Sequence, residues 1–132
     1  MTSATVVPVV VVDDQAPFRS AARAVLRCIN GFELVGEAET GEEAIELVTS
    51  LHPGLVLMDI NLPGMDGVEA TRRILAEVPG IVVFLCSTYQ LGDLPPGAAT
   101  SGACTYVHKE ELAPSLLRRL WDERHLSRWC SS

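Results

Sequence analysis

Apolar and polar positions come in blocks along this chain of 132 residues. VVPVVVV (6–12), LVLMD (55–59) and IVVFLCS (81–87) are almost unbroken apolar runs, each short and bounded by polar or turn-forming residues. Runs of this kind predict strands buried on both faces, as in a parallel sheet. Pro8 limits pairing at the start of the first. FELVGEA (32–38) and TYVH (105–108) read as a second and a fifth strand.

Between these runs the period changes to that of a helix. In residues 15–30, Phe18, Ala21, Ala22, Val25, Leu26 and Ile29 share one face, Pro17 suits the first turn, and Asn30-Gly31 is a stop signal. Residues 40–51 predict a second helix, opened by Thr40 and Glu43 as a capping box. A third spans 68–78, with Val68, Ile74, Leu75 and Val78 inward, after the turn-rich loop NLPGMDG (61–67). A fourth runs from about Ala113 to His125, with Leu116, Leu117, Leu120 and Trp121 as its stripe. Strands alternating with helices predict one α/β domain, a doubly wound, five-stranded parallel sheet. The rhythm fails once, at LGDLPPGAAT (91–100), where Pro95 and Pro96 exclude a regular helix over 91–96. At most one turn is expected near Gly97 to Ser101.

Composition narrows the classes. With 48% hydrophobic and 20% charged residues the chain is globular rather than disordered. No apolar run approaches the ~20 residues of a membrane span, and the N-terminus lacks a charged leader, so a cytoplasmic protein without membrane contact is expected. A net charge of −7 argues against direct nucleic-acid binding. The four cysteines show no metal-type spacing; Cys28 and Cys86 sit in apolar contexts and read as small buried side chains. His52, His108 and His125 read as surface residues, and the tail 126–132 as frayed.

In open α/β sheets ligands bind at the carboxyl ends of the strands. Here those ends carry Asp13 and Asp14, then Asp59, then Ser87 and Thr88, then Lys109. Three carboxylates in one site either rise in pKa or take a cation, and an all-oxygen set with room for water suits Mg2+, with Mn2+ as a substitute. A lysine and a hydroxyl opposite them can hold a phosphoryl group, and a carboxylate can attack phosphorus to form an aspartyl phosphate.

DD after the first strand, MDINLPGMDG around the third, Ser-Thr after the fourth and Lys after the fifth resemble the receiver domain of bacterial two-component response regulators, over about residues 6–125. The LPGMDG loop and VGEAETGEEAI look most like the LuxR-type subfamily. The resemblance implies a flavodoxin-like sheet of order 2-1-3-4-5 and a single receiver domain over 1–132. It implies that Asp59 is the phosphoacceptor and that Asp13, Asp14, Asp59 and the Asn61 backbone carbonyl bind Mg2+. Ser87 and Lys109 then hold the phosphoryl group, and Ser87 and Tyr106 act as a switch. Asn61 and Tyr89 tune phosphate lifetime. The implied partners are a sensor histidine kinase or phosphotransfer protein and an unidentified downstream protein, with the chain a monomer or weak homodimer. The domain would catalyse only its own phosphorylation and dephosphorylation.

Each site residue has a plainer reading. Asp13 and Asp14 can favour a helix N-terminus, Asp59 can cap a loop, Lys109 can be solvated, Thr88 can replace Ser87, and Tyr106 can be half-buried packing. The chain also departs from the family: Glu110-Glu111 follow Lys109 where the family usually has proline. A trans bond is expected there, with both acids pointing outward and starting the last helix. In receivers the fourth helix belongs to the output face, so residues 91–100 should alter that face. Three alternatives stand beside the receiver: a pseudo-receiver acting by binding alone, a Mg2+-dependent aspartyl-phosphate phosphatase, and a flavodoxin-like cofactor binder, which DDQAPF would disfavour by repelling phosphate. Arg118, Arg119, Arg124 and Arg128 with Trp121 and Trp129 read as a solvated basic face with Trp121 in the core.

Overall fold

A computed structural model describes residues 6–126; Arg128, Trp129, Cys130 and the tail beyond Leu126 lie outside the described residues. Five parallel strands, β1 (Val7–Val12), β2 (Phe32–Ala38), β3 (Leu55–Asp59), β4 (Val82–Ser87) and β5 (Thr105–His108), pair in the order β2-β1-β3-β4-β5. Helices α1 (Ala16–Arg27), α2 (Gly41–Leu51), α3 (Gly67–Glu77) and α4 (Pro114–Asp122) cover the two faces. The fold is the flavodoxin-like arrangement expected.

Successive strand residues point to opposite faces, so each apolar run feeds two cores. Val10, Val12, Val56, Met58, Val83 and Leu85 pack against α2 and α3. Val9, Val11, Leu55, Leu57, Phe84 and Val107 pack against α1 and α4. This double burial explains the absence of polar alternation in β1, β3 and β4.

Helix ends follow local chemistry. Thr40 caps α2 by accepting from Glu43 N–H at 3.1 Å, while the Glu43 carboxylate takes Glu39 N–H at 2.7 Å, one residue earlier than a reciprocal capping box requires. Helix α1 stops at Arg27, short of Asn30, leaving Cys28 exposed rather than buried as expected; Ala21 is exposed too. Glu110 and Glu111 face outward but form a separate 3-10 turn with Lys109, and α4 begins only at Pro114. The bond after Lys109 is trans, as expected. Trp121 is partly buried against the α1–α4 core, edge-on to Phe32 with ring centroids 5.9 Å apart.

Between β4 and β5 no α-helix forms. A 3-10 turn covers Leu91–Asp93, and after Pro95 and Pro96 the chain closes tight turns through Ala98 N–H to Pro95 O at 3.2 Å and Thr100 N–H to Gly97 O at 3.2 Å. The segment is irregular but packed. Ala98, Ser101 and Ala103 are buried, and the Ser101 hydroxyl donates to Ala98 O at 2.7 Å while accepting from Ala103 N–H at 3.2 Å.

Candidate functional site

The strand register brings the polar strand ends level. Asp59 pairs with Cys86 across β3–β4, and Ser87 with His108 across β4–β5, which sets Lys109 one residue beyond the sheet. Asp13 follows β1 directly and is fully buried; Asp59, the last residue of β3, is 3% exposed. Asp14 is exposed, yet the Asp13, Asp14 and Asp59 carboxylates approach within 4.8 Å of one another. Asp14 and Asp59 open onto a cleft of about 380 Å³ lined also by Gln15, Phe18, Asn61, Ser87, Thr88 and Lys109.

Charge balance in this cleft is incomplete. The Lys109 ammonium lies 2.6 Å from Asp13 Oδ2 and 3.3 Å from Asp59 Oδ1. Gln15 N–H donates to Asp13 Oδ1 at 2.8 Å, and Asn61 N–H to Asp59 Oδ1 at 3.3 Å. Asp13 Oδ2 has only the charge contact with Lys109: among the described residues it is the one buried side-chain oxygen or nitrogen without a hydrogen bond. Burial, then the Asp13 charge, push the Asp59 carboxyl up to about 6, with Lys109 and the Asn61 N–H pulling the other way. Burial acts to lower the Lys109 pKa, but contact with Asp13 and Asp59 outweighs it, and the net shift is upward. Three carboxylates thus face one ammonium, and a buried carboxylate oxygen is left short of donors. This hard, oxygen-only donor set suits a divalent cation such as Mg2+.

A second network lies beside the acids. The Ser87 hydroxyl is buried, accepts from Tyr89 N–H at 3.1 Å and lies 3.0 Å from the Tyr106 hydroxyl. The Tyr106 hydroxyl also reaches Ser87 O at 2.9 Å, and Tyr89 O. Burial chiefly raises the Tyr106 pKa, which keeps the phenol protonated and a donor. The Tyr89 hydroxyl donates at 3.3 Å to Oδ1 of Asn61, a residue that lines the cleft. Thr88 is exposed, and its carbonyl meets His108 Nε2 at 3.1 Å. Glu110 N–H donates to His108 Nδ1 at 3.1 Å, so Nε2 carries the proton that reaches Thr88.

One family model, that of the response regulator receiver domain, matches residues 9–120. The chain belongs to the response regulator receiver domain family. The receiver is 35% identical over 111 residues to the transcriptional regulatory protein DegU of Brevibacillus brevis, covering 84% of this chain and 47% of that protein. It is 33% identical over 125 residues to the response regulator GacA of Pseudomonas aeruginosa, covering 92% and 58%. The chain therefore spans about half the length of these relatives. Among solved structures, a LuxR-family two-component response regulator from an Aurantimonas species superposes with a TM-score of 0.81 at 27% identity, covering 94% of this chain and 91% of that one. The signal receiver domain of the NarL response regulator from Mycobacterium tuberculosis gives 0.80 at 27% identity, covering 92% and 98%.

Asp13, Asp14, Asp59, Asn61, Ser87, Tyr89, Tyr106 and Lys109 all gather at this edge of the receiver. Three further residues shape it without having been singled out in the sequence. Phe18, in the first turn of α1, places its ring 4.7 Å from the Lys109 ammonium. Arg19 donates to Asp13 O at 2.7 Å and pairs with Glu37 at 3.3 Å. Gly67 is pressed against β3: a Cβ there would lie 1.9 Å from Asp59 O. Gly67 carries a detectable signal, because it follows Asp66, which caps α3 by accepting from Glu69 N–H at 2.9 Å. Phe18 and Arg19 carry none, since both fit an ordinary amphipathic helix.

Proposed function

We propose that this receiver is a phosphorelay module that accepts a phosphoryl group on Asp59 and signals by a change of conformation. The observation carrying this reading is the placement of Asp59: nearly buried at the end of β3, beside Asp13, with Lys109 3.3 Å from one oxygen. An Asp59 oxygen attacks phosphorus in line, and the bond from phosphorus to the donor's nitrogen or oxygen breaks as the new O–P bond forms. The donor's leaving group takes that electron pair and a proton from water. The Asp13, Asp14 and Asp59 carboxylates and the Asn61 backbone carbonyl would hold Mg2+, which supplies charge neutralisation on the phosphoryl oxygens. Lys109 offers its ammonium to a phosphoryl oxygen as a mobile point charge. Asp59 must be ionised to attack, so its raised pKa favours reaction above pH ~6 and is itself lowered when a cation shares the site.

The Ser87 hydroxyl has a choice of partner. In this structure it is tied to Tyr106, whose proton goes to a carbonyl of Ser87 or Tyr89. A phosphoryl oxygen competing for the Ser87 hydroxyl proton would remove one of the three contacts of the Tyr106 hydroxyl, loosening Tyr106 on its two carbonyls and coupling Asp59 to the β4–β5 surface. The phosphoryl source would be a sensor histidine kinase or a phosphotransfer protein, and the output a partner that reads this surface. The domain is proposed to act as a signalling module, catalysing only its own phosphorylation and hydrolysis.

The test is incubation of the protein with Mg2+ and acetyl phosphate or phosphoramidate, followed by intact-mass measurement. A phosphoryl adduct that Asp59→Asn abolishes is expected. No adduct with any donor, a histidine kinase included, would replace this reading with that of a pseudo-receiver.

A further inference from the structure

Lys109 must stay close to Asp59 while the charges around it change, and the strand register that sets its backbone does not fix its four-carbon side chain. It opens a single 3-10 turn, Lys109–Glu111, followed by exposed Glu110 and Glu111. Its side chain is nevertheless only 15% exposed. Three contacts account for this: Asp13 Oδ2 at 2.6 Å, Asp59 Oδ1 at 3.3 Å and the Phe18 ring at 4.7 Å from its centroid. The first two are carboxylates, whose pull on an ammonium fades as soon as their charge is neutralised or covalently consumed. Phe18 differs. Its ring attracts a cation through a fixed quadrupole that no step at Asp59 alters. The ring is also anchored, because Phe18 packs on the apolar cluster beneath α1 and α4 while lining the cleft.

We propose that Phe18 is a positioning residue for Lys109, its ring face holding the ammonium between Asp13 and Asp59 when the carboxylates no longer do. The proposal rests on the reading of Asp59 as phosphoacceptor. A purely structural Phe18 would fill space, and any side chain of similar volume would serve. A positioning Phe18 needs an electron-rich face.

The test separates shape from electronics. Phe18→Tyr keeps the face, Phe18→Leu keeps much of the volume without it, and mono-, di- and trifluorophenylalanine placed at position 18 by stop-codon suppression keep the shape while draining the face. The second-order rate of labelling by acetyl phosphate is measured at saturating Mg2+, with the melting temperature of each variant. The expected result is labelling about three- to tenfold slower for Phe18→Leu, within about twofold of wild type for Phe18→Tyr, and falling with each fluorine at constant melting temperature. A flat fluorine series, or Phe18→Leu labelled at the wild-type rate, overturns the proposal; if Phe18→Leu does not fold, the fluorine series decides alone. Placement is read without any phosphodonor: the Lys109 ε-methylene protons should show an upfield ring-current shift that Phe18→Leu abolishes, and its absence in the wild type overturns the placement. Failure of the wild-type protein to be labelled by any donor would instead defeat the phosphoacceptor reading and leave the ring-current result standing.

Discussion

At the carboxyl ends of β1, β3, β4 and β5 each polar side chain is held by several other groups: Lys109 by Asp13, Asp59 and Phe18, Ser87 by the Tyr89 N–H and the Tyr106 hydroxyl. Between β4 and β5, residues 91–103 are held differently. Leu91 is half exposed and Gly92 has open space around it, while Ala98, Ser101 and Ala103 tuck into the core beside α3. The acidic edge is a set of mutual electrostatic constraints, and the segment is a strap pinned by a few small buried residues. A substitution in the first should therefore propagate to its neighbours, whereas one in the second should depend entirely on whether it strikes a pin.

The sharpest test applies the same change to both. Gly67→Ala drives a methyl group into the Asp59 carbonyl and should cost about 3 kcal/mol or more, with lost Asp59 labelling in whatever protein still folds. Gly92→Ala meets nothing within 4 Å and should stay within about 0.5 kcal/mol of wild type. Urea denaturation of both variants measures the gap, and comparable costs would break the distinction.

A smaller effect concerns charge. Asp59 has its folded pKa raised to about 6 from 3.8, so its contribution to stability is fully present below pH ~4 and is lost as pH rises through 6. Asp59→Asn removes that loss. Without divalent cation the variant should be about 1–3 kcal/mol more stable than wild type near pH 8, with the gain fading below pH ~4. Thermal melts across that range check it, and a gain of equal size at all pH values would show that burial of the charge is not its source.

Much of this was legible in the sequence, and the boundary is physical. Apolar runs mark β1, β3 and β4 because double burial leaves polar residues only at the ends of β3 and β4, while β2 and β5 are the mixed segments FELVGEA and TYVH. The strand ends could be read because a polar residue directly after such a run has one place to go. Pro95 and Pro96 excluded a helix, but the pins at Ala98 and Ser101 were hidden, since an irregular segment has no period to reveal its inward face. Cys28 is exposed despite its apolar sequence context because α1 ends a residue before it, while its neighbour Ile29 turns into the core. Phe18 acts through space on Lys109, across a separation that no local pattern records, whereas Gly67 is marked by the Asp66 cap before it.

The smallest effect is kinetic. The Tyr89 hydroxyl holds the side chain of Asn61, which lines the cleft, so Tyr89→Ala should free it, admit water and speed loss of phosphate a few-fold, on the order of 1 kcal/mol in barrier. Following the decay of the phosphorylated protein by mass checks this, and an unchanged half-life would confine Tyr89 to packing.

The Tyr106 hydroxyl has a single hydrogen and three oxygens within reach: Ser87 Oγ, Ser87 O and Tyr89 O. Taking Ser87 Oγ away leaves two acceptors in place, so the phenol need not go unsatisfied at any instant of the exchange. In the proposed switch, giving up Ser87 Oγ would then cost the net worth of one hydrogen bond, about 1 kcal/mol, rather than the desolvation penalty of a stranded hydroxyl. On the proposed switch reading, the unphosphorylated protein should visit the exchanged arrangement unprompted, and a partner binding near β5 could tip the balance as readily as the proposed phosphorylation of Asp59.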